Sequence, residues 1–327
     1  MSHVPTIQGL HHVTAVTADA RRNLDFYTRV LGMRLVKTTV NQDDVSAYHL
    51  FYADAEGSPG TELTFFEWKH VPAGRIGAGT VSETALRISG GVASLERWRE
   101  HLVRHGAAPG EVETLSGTGL PSVAFHDPEG QPLRLIAEEP AADAKPWAGS
   151  PLPPEASVFG LSAVTLTVRH PAETARFLTD VLGFRPHPED ASLFEVGNGG
   201  QGTQLRLAAS DVPGLQGAGG VHHVAWMVED RAAQRSWSEH LAGHGVPNSG
   251  LVDRFYFQSV YFRVPGGILF ELATRGPGFT ADGESMEHLG ERLSLPPFLE
   301  KDRAQIERGL HPLDLPAAVE ASKSIAP

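Results

Sequence analysis

An internal repetition constrains this chain more than any other feature. "GLHHVTAV", from Gly9, aligns with "GLSAVTLTV", from Gly160, and at the same offset "LDFYTRVLGMR" (24–34) falls on "ARFLTDVLGFR" (175–185). Each match reads as a strand followed by an amphipathic helix. Asp19 is placed to N-cap the first helix, Pro171 sits in the first turn of the second, and Gly32 and Gly183 stop them. Later segments repeat at a slightly smaller offset: "RWREHLVRHGA" (97–107) with "SWSEHLAGHGV" (236–246), and "SVAFHDPEGQPLRLIA" (122–137) with "SVYFRVPGGILFELAT" (259–274). The "DPEG" at Asp127 is a turn between two alternating runs, so each of these segments ends in a hairpin. The expected architecture is α+β: four units, each a strand, a helix and three further strands, paired into two domains.

The Pro- and Ala-rich "EEPAADAKPWAGSPLPPEASVFG" (138–160) reads as a connection between halves. The expected division is an N-terminal domain over 7–139, a linker over 140–158, a C-terminal domain over 159–275 and an extension over 276–327. A short helix is expected in the extension around "EKDRAQIERGL" (300–310). A length of 327 residues suits two domains of ~150 residues each.

The net charge of −12, with no Lys/Arg cluster beyond short pairs, argues against nucleic acid or an anionic membrane as partner. No apolar run approaches the ~20 residues of a membrane span, and the N-terminus lacks a signal-peptide pattern, so the expected location is cytoplasmic. The chain has no cysteine, which removes disulfides, thiolate nucleophiles and Cys-held metals together. Any metal must be held by His, Asp or Glu, and there are 16 histidines to choose from.

Duplicated units share what folding needs, so residues present in one copy alone require another reason. His12 corresponds to Ala163, His11 to Ser162, His223 to Glu83, His222 to Ser82 and Glu271 to Arg134. The first and fourth units carry imidazoles and a carboxylate that the second and third lack, which implies one complete site and one vestige. Two histidines and a carboxylate form the facial set of non-haem Fe(II) enzymes, with positions left for substrate and dioxygen. Zinc uses the same ligand types. A lone strand histidine is usually packing, but two His-His pairs and Glu271, set between Phe270 and Leu272, ask for more. Strand alternation sends the two members of each pair to opposite faces and does not say which is the ligand.

The repeated units, their "FYxxVLG" helix and the "PxGxxxEL" ending resemble the glyoxalase/vicinal oxygen chelate superfamily over about residues 7–275. Within it, "LHHVT", "VHHVAW", "DRFYFQSVYFRVPGG", "FELAT" and the tail "LGERLSLPPFLEKDR" resemble the hydroquinone ring-cleaving, extradiol-type dioxygenases, such as those acting on 2,6-dichlorohydroquinone. The resemblance implies that His12, His223 and Glu271 hold Fe(II), with Mn(II) or Zn(II) as alternatives. It also implies that His11, His222, Arg254 and Tyr261 surround the substrate. Ring cleavage needs a Lewis acid for the phenol and a group to take its proton, for which His222 or His11 is a candidate; either can instead simply hydrogen-bond a backbone carbonyl. Arg254 would stabilise negative charge and Tyr261 would donate to a substrate oxygen.

The expected function is thus a ring-cleaving dioxygenase using a small aromatic substrate and O2, as a possible homo-oligomer. The alternatives are a metal-dependent glyoxalase-like isomerase or hydrolase, and a non-catalytic protein that binds aromatic compounds. His101, His105, His240 and His244 recur in equivalent helical positions, which points to a structural role. "DAEGSPGTE" and "GNGGQGT" lack phosphate-loop spacing and read as turns, and His49 and Asp54 read as packing and turn residues.

Overall fold

The computed structural model describes residues 4–139, 145–150, 152–313 and 315. Parts of the expected linker (140–144 and 151) and of the extension (314 and 316–327) lie outside them.

Four units follow one another as expected. The first comprises β1 (Gly9–Thr17), α1 (Ala20–Asp25), β2 (Arg34–Asn41), β3 (Asp44–Ala53) and β4 (Glu62–Glu67). The second comprises β5 (Thr80–Ile88), α2 (Gly91–Arg104), β6 (Glu113–Thr114), β7 (Pro121–His126) and β8 (Pro132–Ala137). The third comprises β9 (Val158–Val168), α3 (Pro171–Asp180), β10 (Arg185–His187), β11 (Asp190–Glu195) and β12 (Gln204–Ala209). The fourth comprises β13 (Val221–Val228), α4 (Arg231–Gly243), β14 (Val252–Asp253), β15 (Gln258–Arg263) and β16 (Leu269–Thr274). Asp19 accepts from the Arg22 amide and so caps α1. The helix then widens into a π-type turn, Phe26–Val30, before Gly32 turns the chain at φ 66°. Asp127 holds the "DPEG" turn by accepting from the amides of Glu129 and Gln131.

Hydrogen bonding couples the units across the sequence halves. One eight-stranded sheet runs β14-β15-β16-β13-β1-β4-β3-β2, joining units one and four; the other runs β10-β11-β12-β9-β5-β8-β7-β6, joining units three and two. The boundaries 7–139 and 159–275 follow covalent order, whereas the sheets pair the outer units with each other and the inner units with each other. The chain changes sheets between β4 and β5 and returns between β12 and β13. These two crossings lie against each other through bridges at Ala73/Ala218, Arg75/Leu215 and Ala78/Pro213. They approach so closely that a Cβ on Gly217 would sit 2.2 Å from the Pro72 carbonyl oxygen.

One continuous apolar core draws on all four units, with Val13, Val224, Leu86 and Leu166 fully buried. The extension begins at a second, smaller cluster: Phe279 and Leu289 pack with Val36, Phe51, Tyr256 and Phe257 on the first sheet. Lys37 of β2, fully buried, reaches Asp282 at 2.7 Å and Glu284 at 2.5 Å. Leu293 bridges to Thr38, so the extension covers the β2 edge of the sheet. The expected helix around 300–310 is a 3-10 turn, Glu300–Asp302, running into α5 (Arg303–Gly309). Among the described residues no helix is long and apolar enough to cross a membrane.

Candidate metal centre

β1 and β13 lie side by side and antiparallel at the middle of the first sheet, and each carries one His-His pair. Strict alternation would turn the rings of each pair to opposite faces. A bulge in each strand prevents this. Leu10 pairs with Trp226 and His12 with Ala225, leaving His11 as the extra residue of β1; Thr14 pairs with His223 and Ala15 with Val221, leaving His222 as the extra residue of β13. A bulge rotates the following side chains so that consecutive residues share a side. The Nδ1 atoms of His11 and His12 accordingly stand 3.0 Å apart, and those of His222 and His223 2.8 Å apart.

The other nitrogens of His12 and His223 converge. Their Nε2 atoms are 3.2 Å apart, and Glu271 Oε2, from β16, lies 3.3 Å from the first and 3.0 Å from the second. All three residues are buried, and Glu271 Oε2 has no hydrogen-bond partner. The other carboxylate oxygen, Oε1, accepts from Ser259 Oγ at 2.5 Å. Burial works against ionisation of Glu271, yet the His12 and His223 imidazoles outweigh it and hold the carboxyl well below its ordinary range.

This triangle fits a metal. Three ligands mutually at right angles around one ion, each ~2.1 Å away, stand ~3.0 Å from one another. The donor atoms here span that edge from one side and leave the opposite side open to a cavity of about 460 Å³. The proton positions agree. The Nε2 of His11 lies 3.0 Å from the Thr274 carbonyl oxygen and must donate to it, so its Nδ1 is an acceptor. His12 Nδ1–H fills that acceptor, and the lone pair of His12 is left on Nε2, facing Glu271. Burial, followed by the neighbouring His12, holds His11 neutral with its pKa pushed down to about 3; burial and His223 do the same to His222, also to about 3.

The cavity is lined on its apolar side by Phe51, Phe66, Trp68, Phe257 and Leu269. The Phe257 ring packs at a tilt against His12 and His11, with centroids 5.1 and 5.3 Å away. Arg254 and Tyr261 both line it. Arg254 Nε donates to the Tyr261 hydroxyl at 3.1 Å, while its other edge pairs with Asp43 at 2.8 Å. Six of the seven residues singled out by sequence line this cavity; the seventh, His11, is buried beside His12, between it and the Thr274 carbonyl. Burial and then the Glu271 charge push the Tyr261 phenol above its ordinary range, so it keeps its proton.

Sequence reading missed others. His49 was expected to be a packing residue, but it lines the same cavity, as do Asn41, Gln42 and Asp43. The pairing of β3 with β4 brings His49 there, and the β2–β3 hairpin brings the other three. Ser259 was missed as well, although its spacing of two residues from Tyr261 on one strand was a usable signal. Elsewhere, His101 and His240 each hydrogen-bond a carbonyl at the end of the preceding helical segment, Val30 and Val181, both at 2.9 Å. Asp54 caps its turn through the amides of Glu56 and Ser58.

The second sheet repeats the frame without the ligands. Its β5 and β9 carry bulges at the corresponding residues, Ser82 and Ser162. Where the first sheet has His223 and Glu271, the second has Glu83 and Arg134, joined at 2.9 Å. An ion pair fills the vestigial site.

The sequence matches the family model described as "Glyoxalase/Bleomycin resistance protein/Dioxygenase superfamily" twice, over residues 9–135 and 160–272. A Bacillus subtilis (strain 168) protein named "Putative ring-cleaving dioxygenase MhqA" is 42% identical, across 94% of this chain and 99% of its own length. A "Chlorohydroquinone/hydroquinone 1,2-dioxygenase" of Sphingobium indicum is 32% identical, across 93% and 96%. A crystal structure described as that of a "putative dioxygenase from Bacillus subtilis subsp. subtilis str. 168" superposes with a TM-score of 0.87 at 35% identity, covering 95% of this chain and 99% of that one. Two family matches, a shared double-sheet frame and relatives aligned over nearly their full length have one meaning: the chain belongs to the glyoxalase/bleomycin resistance protein/dioxygenase superfamily.

Proposed function

We propose that this protein is a mononuclear Fe(II) dioxygenase that cleaves the ring of a hydroquinone or related dihydroxylated aromatic with O2. One observation carries the reading: His12, His223 and Glu271 aim three buried donor atoms, 3.0–3.3 Å apart, at a single point beneath an aromatic-lined cavity. The full-length similarity to a hydroquinone dioxygenase supports it. Three ligands from one side leave the room that substrate and dioxygen require, and iron is the metal whose redox chemistry suits this set. Iron(II) bound there supplies the Lewis acidity and the electron path between ring and dioxygen that the reaction needs.

The protein's own groups divide the remaining work. His11 uses both nitrogens, one toward His12 and one toward the Thr274 carbonyl, and so orients a ligand. His222 accepts the Nδ1 hydrogen of His223 and holds its own proton at Nε2, where it can donate to a substrate oxygen. Because Arg254 already donates to the Tyr261 oxygen, the Tyr261 hydrogen is free for the substrate. The Arg254 cation stabilises a hydroquinonate nearby. Phe66, Trp68 and Phe257 flank the ring and keep water out. An isomerase of the glyoxalase type would be favoured by a further carboxylate, but the position matching Glu271 in the first unit holds Thr64. The halves 7–139 and 159–275, with 140–158 between them, are proposed as the duplicated domains.

Oxygen uptake by Fe(II)-loaded protein across a panel of hydroquinones and catechols tests the reading. Consumption with at least one hydroquinone, lost in His12→Ala and Glu271→Ala, is expected. Uptake that persists in both variants, or turnover that consumes no oxygen, would overturn it.

A further inference from the structure

The strand registers relate unit one to unit four across the β1–β13 junction. His12 pairs with Glu62 on β4, and His223 with Leu269 on β16. Two residues along, Thr14 pairs with Thr64 and Ala225 with Glu271, so Thr64 stands beside His12 as Glu271 stands beside His223. The next strands continue the correspondence. Glu271 pairs with Tyr261 and Ala273 with Ser259, whereas Thr64 pairs with Phe51 and Phe66 with His49. His49 is therefore the counterpart of Ser259. The contact is also repeated: Ser259 Oγ holds Glu271 Oε1, and His49 Nε2 lies 3.0 Å from Thr64 Oγ1.

The hydroxyls determine which nitrogen of His49 carries the hydrogen. Thr64 Oγ1 is 2.8 Å from Thr14 Oγ1, and Thr14 is fully buried with no other side-chain partner among the described residues. A buried hydroxyl hydrogen needs an acceptor. If Thr14 donates to Thr64, and Thr64 to His49 Nε2, every hydroxyl hydrogen is used. The reverse order leaves that of Thr14 stranded. The hydrogen of the neutral ring then sits on Nδ1, which has no protein partner among the described residues, in a side chain that lines the cavity. Phe51 and Phe66, with centroids 3.9 and 4.4 Å away, hold the ring in place.

We propose that His49 is a substrate-binding residue whose Nδ1–H donates to the oxygen of a dihydroxylated aromatic that lies away from the three ligands. The proposal rests on reading the cavity as a site for such rings. A hydroquinone cannot bring both para oxygens to one ion, so its second oxygen needs a donor from the protein, and the corner where Thr64 replaces a carboxylate offers one.

Anaerobic titration of hydroquinone and of phenol into the metal-loaded protein, followed by tryptophan fluorescence, tests this. His49→Phe is expected to weaken hydroquinone about tenfold, the loss of one hydrogen bond, while phenol changes less than about twofold. His49→Gln, which retains an N–H, should recover most of the loss, and Thr64→Val should mimic it where Thr64→Ser does not. His49→Leu replaces His49→Phe if the latter does not fold. Unchanged hydroquinone affinity in the apolar variant, or equal losses for both ligands, would overturn the proposal. No hydroquinone binding to the wild-type protein overturns this proposal and the function together; binding without oxygen uptake overturns the dioxygenase reading alone.

Discussion

Ser259 Oγ donates to one oxygen of Glu271 at 2.5 Å, and so leaves the other oxygen turned toward His12 and His223. A carboxylate without that hydrogen bond would rotate between two equivalent orientations. Ser259→Ala should therefore lower metal affinity by about 10–100-fold with little loss of fold, measured by metal retention under competition with a chelator.

His11 and His222 titrate near 3 in the folded protein against an ordinary value of 6.5. The unfolded chain takes up protons between these values and the folded chain does not, so stability falls as pH drops from about 6.5 toward 3 and is fully present above that window. Calorimetry of metal-free protein should show the melting temperature falling across it, with a shallower slope in His11→Asn.

Lys37 has no exposed surface and is answered by Asp282 and Glu284, which are themselves nearly buried. Lys37→Met leaves Asp282 without its cation and Glu284 with Arg292 alone, at 3.4 Å, and should cost about 3–5 kcal/mol in urea unfolding. Adding Asp282→Asn and Glu284→Gln should restore much of it. Equal stability of wild type and Lys37→Met would refute the account.

Arg254 uses one edge for Tyr261 and another for Asp43. A lysine keeps the charge but cannot span both partners. Arg254→Lys should lower kcat/KM for a hydroquinone by about 10-fold or more, whereas Asp43→Asn should change it far less.

The second sheet has the bulges at Ser82 and Ser162 but an ion pair where ligands would stand. Ala163→His, Glu83→His and Arg134→Glu together should create a second divalent-metal site, seen as a second equivalent of Co(II) in visible absorption. Stoichiometry unchanged at one would mean that the shared frame is insufficient.

The four units and the residues distinguishing outer from inner copies were legible in the sequence. Duplication leaves constant offsets, and a residue that folding does not need stands out against its counterpart, as His12 does against Ala163. His49 was not legible, because its partner Thr64 is on another strand and nothing local distinguishes it from a packing histidine.

Local chemistry in the chain therefore determined the strand-and-helix units, the capping residues such as Asp19, and which side chains are available to grip an ion. Tertiary structure alone decided that units one and four hydrogen-bond into one continuous sheet, and that His11 and His222 fall on bulges. Both depend on hydrogen bonds between strands far apart in sequence, and such pairings leave no periodic trace in either strand.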